Sequence, residues 1–254
     1  VHTSVSAEAI RFALRYRLQL EQLPVNRTYD SSTGKLSYED EKRASWSTEQ
    51  KFIDDDLMGF MDAAAAKAES EDEAAQTDEH DEAVADKKSR KGKPKAKGTT
   101  TKRQSPLAVG RGVSLRPYRG EISFNCVSGD KKESKLSLYS AEMHTTEYQY
   151  SFGLNLDDVI DKQNIGFLLH AIVDPPPVGG NHSRFAYDFS PASLVLRITR
   201  EHSSRIQNCF AHEETSRTVT VRRLIEKIKC GDIAAAEVIV AGEIARTSEG
   251  EQLR

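Results

Sequence analysis

Cysteine is scarce in this chain of 254 residues, and long apolar runs are absent. The three cysteines, Cys126, Cys209 and Cys230, lie far apart and form no CxxC pair, which argues against a disulfide framework or a zinc site. No apolar stretch approaches the roughly 20 residues of a membrane-spanning helix, and no secretory signal is recognisable. We therefore expect a cytoplasmic protein with reduced thiols and no membrane partner.

The usual arrangements of catalytic residues are also missing. The seven histidines show no Ser–His–Asp order and no spacing with acidic residues that suits a metal ion. We expect the consecutive residues Asp54, Asp55 and Asp56 to be solvated rather than catalytic. His144 can act as a general base toward a ribose 2′-hydroxyl, although a lone histidine more often contacts the backbone. We expect no metal ion and no cofactor.

A glycine pair follows three prolines within the predicted loop 175–188. Paired glycines let a backbone approach a bulky ligand, and their N–H groups can face phosphates. The spacing fits neither a Walker A motif nor a dinucleotide fingerprint. A phosphate-facing loop and a plain tight turn both stay open for Gly179, Gly180, Asn181, His182 and Arg184.

The net charge of −3 hides two opposite blocks. Residues 69–86 carry nine acids and no Lys or Arg, whereas residues 87–103 carry nine Lys or Arg and no acids. The surrounding segment 63–104 has no Phe, Trp or Tyr. Low hydrophobicity with blocks of like charge predicts a flexible insertion within a folded domain. Its basic half can contact nucleic acid or serve as a solubilising linker.

The stretch 2–20 predicts an amphipathic helix around which the rest of the chain is organised. Its apolar residues fall at i, i+3, i+4 and i+8, on one stripe formed by Ile10, Ala13, Leu14 and Leu18. Ser6 is expected to cap the N-terminus. Arg11 and Arg15 are four residues apart, so both guanidinium groups leave the same side of the helix, away from that stripe.

The start of this helix is a candidate anion site. Thr3, Ser4 and Ser6 crowd it, where hydroxyls and free backbone N–H groups can bind an anion. Together with the two arginines they can hold a phosphate backbone; the alternative is a core helix with a solvated basic face. Because the sequence opens at Val1 on a helix start, we also expect that residues before it are missing, among them a first strand.

Alternation and β-branched residues predict strands at 107–118, 122–127, 144–156, 193–199 and 237–242. We expect the last of these to be central, and the tail after Arg246 to fray. A short amphipathic helix is expected to carry Ile53, Leu57 and Phe60.

Two longer helices are predicted later in the chain. One lies within 157–174 and buries Leu168, Leu169 and Ile172. The other lies within 216–233, buries Leu224, Ile225 and Ile228, and stops at Gly231. With a missing first strand, the order of elements fits an α+β fold of the split βαβ type, as in ferredoxin-like and RRM-type domains.

Four motifs, in register, resemble one protein family. They are SVSAEAIRFALR, KRQSPLAVGRGVSLRPYRGEISF, EMHTTEYQYSFGLNLDDV and VGGNHSRFAYDFSPASLVLRIT. They resemble the CRISPR-associated backbone subunit of type I Cascade, in the DevR-type branch of the Cas-seven family. The resemblance covers most of the chain outside residues 24–102, and the charged low-complexity segment departs from the family's pattern.

The resemblance implies a modified RRM or ferredoxin-like palm with a large fingers insertion and a thumb hairpin. The palm would comprise residues 1–23, 105–118 and 143–246, the fingers 24–104 and the thumb 119–142. The implied RNA-binding residues are Thr3, Ser4, Ser6, Arg11, Arg15, Arg103, Ser105, His144, Gly179, Gly180, Asn181, His182 and Arg184.

The function implied is that of a non-enzymatic subunit that polymerises along a CRISPR guide RNA. Its partners would be the guide RNA, the target DNA strand, neighbouring copies of itself and other Cascade subunits. An alternative is a metal-independent RNA endonuclease of a related RRM-type family, with His144 as base. A weaker alternative is a relative that cleaves its target with an aspartate of the fingers.

Overall fold

The computed structural model describes residues 1–43, 46, 52–61, 102–126, 138–143, 145–177, 188–215 and 217–253. The chain forms two compact units. The first contains Val1–Arg17, Ala108–Leu154 and Phe167–Arg254, and the second contains Leu18–Leu107 and Asn155–Gly166. The fold is α+β with small antiparallel sheets.

The helices are α1 (Ala7–Leu20), α2 (Ile53–Met58), α3 (Gln163–Val173), α4 (Arg222–Lys229) and α5 (Ser248–Glu251), with 3₁₀ turns at Ala235–Glu237 and Ile244–Arg246. The strands up to residue 126 are β1 (Ser4–Val5), β2 (Arg27–Asp30), β3 (Lys35–Tyr38), β4 (Phe60–Met61), β5 (Lys102–Arg103), β6 (Leu107–Val109), β7 (Gly112–Ser114) and β8 (Glu121–Cys126). The later strands are β9 (Leu138–Met143), β10 (Tyr148–Gln149), β11 (Phe152–Leu154), β12 (Ser193–Arg197), β13 (Ala211–Glu213), β14 (Thr218–Thr220) and β15 (Val238–Gly242).

Helix α1 confirms the predicted stripe. Ile10, Ala13, Leu14 and Leu18 are all at most 3% exposed, and the Ser6 hydroxyl caps the helix by accepting the Ala9 N–H at 3.1 Å. In the first unit, Ile10 and Ala13 pack with Phe189, and partly buried Tyr148, Tyr150 and Phe152 surround them. The aromatic residues of the predicted strand 144–156 therefore cover the buried side of α1.

Two predicted strands are each broken in the middle. Segment 107–118 forms β6 and β7, and segment 144–156 forms β10 and β11. The breaks coincide: the Gly110 N–H donates to the Ser151 carbonyl at 2.7 Å, and a Cβ at Gly110 would collide with Ser151 Oγ. β7 instead pairs with β10 on one side and with β1 on the other. A strand therefore precedes α1, at residues that the sequence assigned to the helix start.

The C-terminal part of the first unit has its own core. Val221, Leu224, Ile225, Ile233, Val238, Ile244 and Leu253 are buried together, with Ile228 partly buried against them. This confirms the predicted inner face of α4, which ends before Gly231 with φ +81°. The expectation of a frayed tail was wrong, because α5 follows Arg246 and Leu253 is only 6% exposed.

Two further expectations for this unit were wrong. Leu169 is 42% exposed, because Ala171 completes the buried side of α3 with Leu168 and Ile172. Among the described residues β15 pairs only with β12, so it is not the central strand of a larger sheet. The paired strands β8 and β9 lie in the predicted thumb 119–142, apart from Met143 at the end of β9.

The second unit is built around three buried acids. Asp54, Asp55 and Asp56 form the first turn of α2 and are 1%, 4% and 5% exposed. The expectation that they are solvated was therefore wrong. An acid in the first turn of a helix is favoured by the helix dipole, but full burial requires partners, since an unpaired buried charge is costly.

Each carboxylate accepts hydrogen bonds from residues that are distant from α2 in the sequence. Asp54 accepts the backbone N–H of Asn26 at 2.7 Å and that of Arg27 at 3.2 Å. Asp55 accepts the Asn26 side-chain amide at 2.7 Å and forms an ion pair with Arg43 at 3.3 Å. The network therefore ties α2 to the start of the β2–β3 hairpin.

Asp56 has the largest set of partners. Its carboxylate accepts the backbone N–H groups of Ile160 at 3.0 Å and Asp161 at 3.1 Å, and the Asn164 amide at 2.9 Å. The Arg103 guanidinium donates to Asp56 Oδ1 at 2.6 Å. Asp56 thus joins α2, β5 and segment 155–166 within the second unit.

The predicted flexible insertion needs a correction at its C-terminal end. Lys102 and Arg103 form β5, which pairs with β4 through Met61↔Lys102 and Phe60↔Arg103. Gly59 precedes this pairing at φ +64°, and a Cβ there would lie 2.5 Å from the Arg103 carbonyl oxygen. Residues 62–101 lie outside the described residues, and their flexibility stays a prediction from composition.

Replacing Asp56 with alanine is expected to destabilise the fold by about 3–5 kcal/mol, because the variant leaves the Arg103 guanidinium, whose side chain is only 15% exposed, without its carboxylate. The matched control is Asp157→Ala, since Asp157 is an exposed acid of the same unit and surface substitutions usually change stability by about 0.5 kcal/mol or less. Urea unfolding measures both variants. Equal stability of the two would contradict the structural role of Asp56.

A short Gly/Ser linker in place of residues 63–101 is expected to leave the thermal melt unchanged, because these residues offer little apolar surface. A linker replacing residues 63–104 also removes β5 and the Arg103–Asp56 ion pair, so we expect a clearly lower melting temperature. Indistinguishable melts of the two deletions would show that β5 contributes nothing.

Candidate nucleic-acid interface

The candidate interface lies in the first unit, where β1 leads into α1. Ser4 and Val5 pair with Val113 and Gly112 of β7, and this pairing fixes the backbone just before the Ser6 cap. Arg11 and Arg15 then follow one turn apart on α1, and both side chains are half-buried. The predicted cluster of small polar residues and arginines is therefore brought together.

The hydroxyls near the helix start already have partners within the protein. The Thr3 hydroxyl is 2.8 Å from the Tyr148 hydroxyl, and the Thr3 N–H donates to Ser114 Oγ at 3.1 Å. The Ser6 hydroxyl accepts the Ala9 N–H. These groups hold β1 and the first turn of α1 in place. The arginines are therefore the main candidates for binding an anion at this surface.

The two arginines lie close enough to affect each other. Burial lowers the pKa of Arg11, and the positive charge of Arg15 lowers that pKa further, while Glu8 acts in the opposite direction. An arginine remains protonated at neutral pH in spite of such a shift. Two like charges one helical turn apart are mutually destabilising, and a bound phosphate would relieve that repulsion.

Three further residues near β1 or on α1 were not assigned to a site from the sequence. Phe12 and Tyr16 are half-buried on α1 and stack, with ring centroids 6.0 Å apart and planes 17° apart. Arg111 is exposed next to Gly112, the residue that pairs with Val5. The aromatic pair at i and i+4 was visible in the sequence, whereas the position of Arg111 depends on the β1–β7 pairing.

Two predicted RNA-binding residues belong to the second unit. Arg103 donates to the Asp56 carboxylate and to the carbonyl oxygens of Asp56 and Asp158, and its guanidinium lies 4.8 Å from the Trp46 ring centroid. The Ser105 hydroxyl donates to the Leu107 carbonyl at 2.6 Å. These contacts give both residues a structural role, and their role in RNA binding stays a prediction.

The remaining predicted site residues lie outside the described residues. They are His144, Gly179, Gly180, Asn181, His182 and Arg184. Within the described ranges, no group of three His, Cys, Asp or Glu side chains is arranged to hold a metal ion. None of the described helices is long and apolar enough to cross a membrane.

Comparisons with known proteins identify the class to which this chain is similar. Its fold is similar to a chain of a CRISPR RNA-guided surveillance complex, pre-nicking, with a TM-score of 0.53 and 11% identity over 98% of this chain and 85% of that chain. No protein-family model matches.

The sequence comparison then shows the family. The chain is 37% identical over 261 residues to the CRISPR-associated protein Cas7/Cst2/DevR of Myxococcus xanthus (strain DK1622), a match that covers 99% of this chain and 78% of that protein. The chain therefore belongs to the Cas7/Cst2/DevR family of CRISPR-associated proteins, which confirms the resemblance found in its motifs.

Substituting both Arg11 and Arg15 with alanine is expected to weaken RNA binding and leave the fold intact. Each lost charge-assisted phosphate contact removes roughly 1.5–3 kcal/mol of binding free energy, whereas the apolar stripe of α1 is unchanged. Filter binding to a single-stranded RNA measures the affinity, and a thermal melt measures stability.

The control is the double variant Arg200→Ala with Arg246→Ala, which removes the same charge from two exposed positions of the first unit. RNA affinity that falls equally in both double variants would mean that only net charge matters. A collapsed melt of the Arg11 and Arg15 variant would show instead that these arginines are structural.

Proposed function

We propose that this protein is a non-enzymatic backbone subunit that binds CRISPR guide RNA and polymerises along it in a type I Cascade effector. The observation that carries the proposal is the pair Arg11 and Arg15 on α1, held beside each other at the β1–α1 junction. Family membership supports it, because the related protein is CRISPR-associated. The similar fold occurs in an RNA-guided surveillance complex.

The proposed contact with RNA is made mainly to phosphates. Arg11, Arg15 and the exposed Arg111 supply positive charge on one unit, and this charge carries no information about base identity. In such a division of roles, base pairing between guide and target reads the sequence while protein holds the backbone. The target DNA strand, other copies of this chain and other Cascade subunits are the further partners that we propose.

The proposed domain roles follow the family. The first unit contains most of an RRM-like palm, and the β8–β9 hairpin is the thumb. The second unit, Leu18–Leu107 with Asn155–Gly166, contains the proposed fingers residues 24–104. The RNA-binding set proposed from the sequence remains Thr3, Ser4, Ser6, Arg11, Arg15, Arg103, Ser105, His144, Gly179, Gly180, Asn181, His182 and Arg184. We also propose a cytoplasmic location.

Co-expression with a guide RNA that contains a CRISPR repeat is expected to give a particle with several copies of the chain on one intact RNA. Mass photometry measures the copy number, and a denaturing gel measures the RNA length. Stacked copies multiply the effect of each RNA contact, so the Arg11 and Arg15 double variant is expected to yield shorter assemblies or none.

A single copy bound to a shortened RNA would contradict the proposal and favour the endonuclease alternative. His144→Ala separates the two functions further. If the protein is a non-enzymatic backbone subunit, the RNA stays intact with the parent protein and with this variant. If the protein is a nuclease with His144 as its base, the parent protein cuts the RNA and the His144→Ala variant does not.

A further inference from the structure

A second basic site lies in the C-terminal part of the first unit, on α4. A cavity of about 150 Å³ is lined by Gln207, Asn208, Cys209, Arg223, Leu224 and Lys227, and we call it the α4 notch. On this measure one water molecule needs roughly 10–15 Å³, so the notch has room for a phosphate group. No acidic residue lines it.

The positive charge of Arg223 in the notch is not paired with an acid in the described part of the chain, whereas that of its neighbour Arg222 is. Arg222 pairs with Glu213 at 2.8 Å and with Glu249 at 3.3 Å. Arg223, next to it, is exposed and has no ion-pair partner among the described residues. Lys227 lies one turn further along α4, so its ammonium and the Arg223 guanidinium flank the same cavity.

The geometry of the notch is fixed from its loop side. The Lys227 ammonium donates to the Arg205 carbonyl at 2.5 Å, which holds one N–H and leaves two for another acceptor. Arg205 and Asn208 both have positive φ angles, 52° and 53°, a conformation that non-glycine residues rarely adopt. Such local strain concentrates at binding sites.

The floor of the notch adds no negative charge. Cys209 is 8% exposed and belongs to the buried core together with Leu224. Burial raises the pKa of the Cys209 thiol to about 11, so the thiol stays neutral at physiological pH. The side chains of Gln207 and Asn208 also line the notch, and an amide group can donate two N–H bonds, so an anion is a ligand that these groups suit.

We propose that the α4 notch binds a phosphate of a nucleic-acid backbone, as a second contact separate from the Arg11–Arg15 surface. Arg223 and Lys227 supply the charge, and the Gln207 and Asn208 amides donate further hydrogen bonds. The inference rests on the proposed function, since it takes a nucleic acid as the partner of this chain. The guide RNA and the target DNA strand are two sources of the same phosphodiester chemistry.

The test compares Arg223→Ala and Lys227→Ala with Lys229→Ala. Lys229 is an exposed lysine of the same helix that lies outside the notch, so the control removes one positive charge at a nearby position. The probes are a single-stranded guide RNA and, on the preassembled RNA complex, a complementary DNA strand. Affinity is measured at several salt concentrations.

Each phosphate contact to a single strand contributes roughly 0.7 to the slope of log affinity against log salt. We expect each notch variant to lose about that much slope while Lys229→Ala loses none. A loss with RNA alone identifies the guide as the source, and a loss only in DNA capture identifies the target strand. Unchanged slopes with both probes, or an equal loss in Lys229→Ala, would overturn the inference.

The outcome is distinguishable from failure of the proposed function. If the parent protein does not bind guide RNA, the proposed function fails and the notch inference fails with it. If RNA binding depends on Arg11 and Arg15 but on neither notch residue, only the notch inference is overturned. A thermal melt of each variant accompanies the titrations, and rescue of the slope by Arg223→Lys would show that charge rather than packing is responsible.

Discussion

The second unit depends on the burial of three consecutive carboxylates. Asp54, Asp55 and Asp56 lie in a helix of six residues, and the apolar residues Ile53, Leu57 and Met58 of that helix are buried beside them. A short helix with so few apolar contacts is marginal alone. The carboxylates supply what apolar packing does not, because each accepts hydrogen bonds from backbone or side-chain groups of distant segments. A buried ion pair requires this full satisfaction, since its desolvation is costly.

In the first unit, by contrast, two side chains of like charge lie next to each other. Arg11 and Arg15 stand beside each other, and each disfavours the charge of its neighbour. Stability alone would favour an acid at one of the two positions. On α4, by contrast, Arg222 has two glutamate partners while Arg223 has none among the described residues. Basic groups that are placed next to each other suit a polyanion, whose negative charge attracts both of them when it binds.

The sequence predicted those elements whose signal is local. The buried stripe of α1 and the inner side of α4 follow from the spacing of apolar residues along one helix, and the Ser6 cap follows from residue type. The solvation of Asp54–Asp56 was predicted wrongly, because their partners Asn26, Arg103 and Asn164 are far away in sequence. The breaks at Gly110 and Ser151 were equally invisible, since each strand alternates well by itself.

The candidate interface shows the same limit. Arg11 and Arg15 could be placed on one side of α1 from their spacing, whereas the neighbouring position of Arg111 requires knowledge that β1 pairs with β7. The family resemblance implied that Arg103 binds RNA, yet its donors face Asp56 and Asp158. Sequence alone identifies which residues carry charge, but the fold decides which charges are already satisfied inside the protein.

The pairing of Met61 with Lys102 has a consequence for the tolerance of this family member to length variation. The two residues are direct cross-strand neighbours although forty positions separate them in the sequence, so the β4–β5 pairing holds the two ends of that segment together. The entropy of closing a flexible loop grows only with the logarithm of its length, and a doubling costs about 0.6 kcal/mol. We therefore expect changes of length or composition between β4 and β5 to cost little free energy, and a reporter domain whose termini lie close together to be tolerated there.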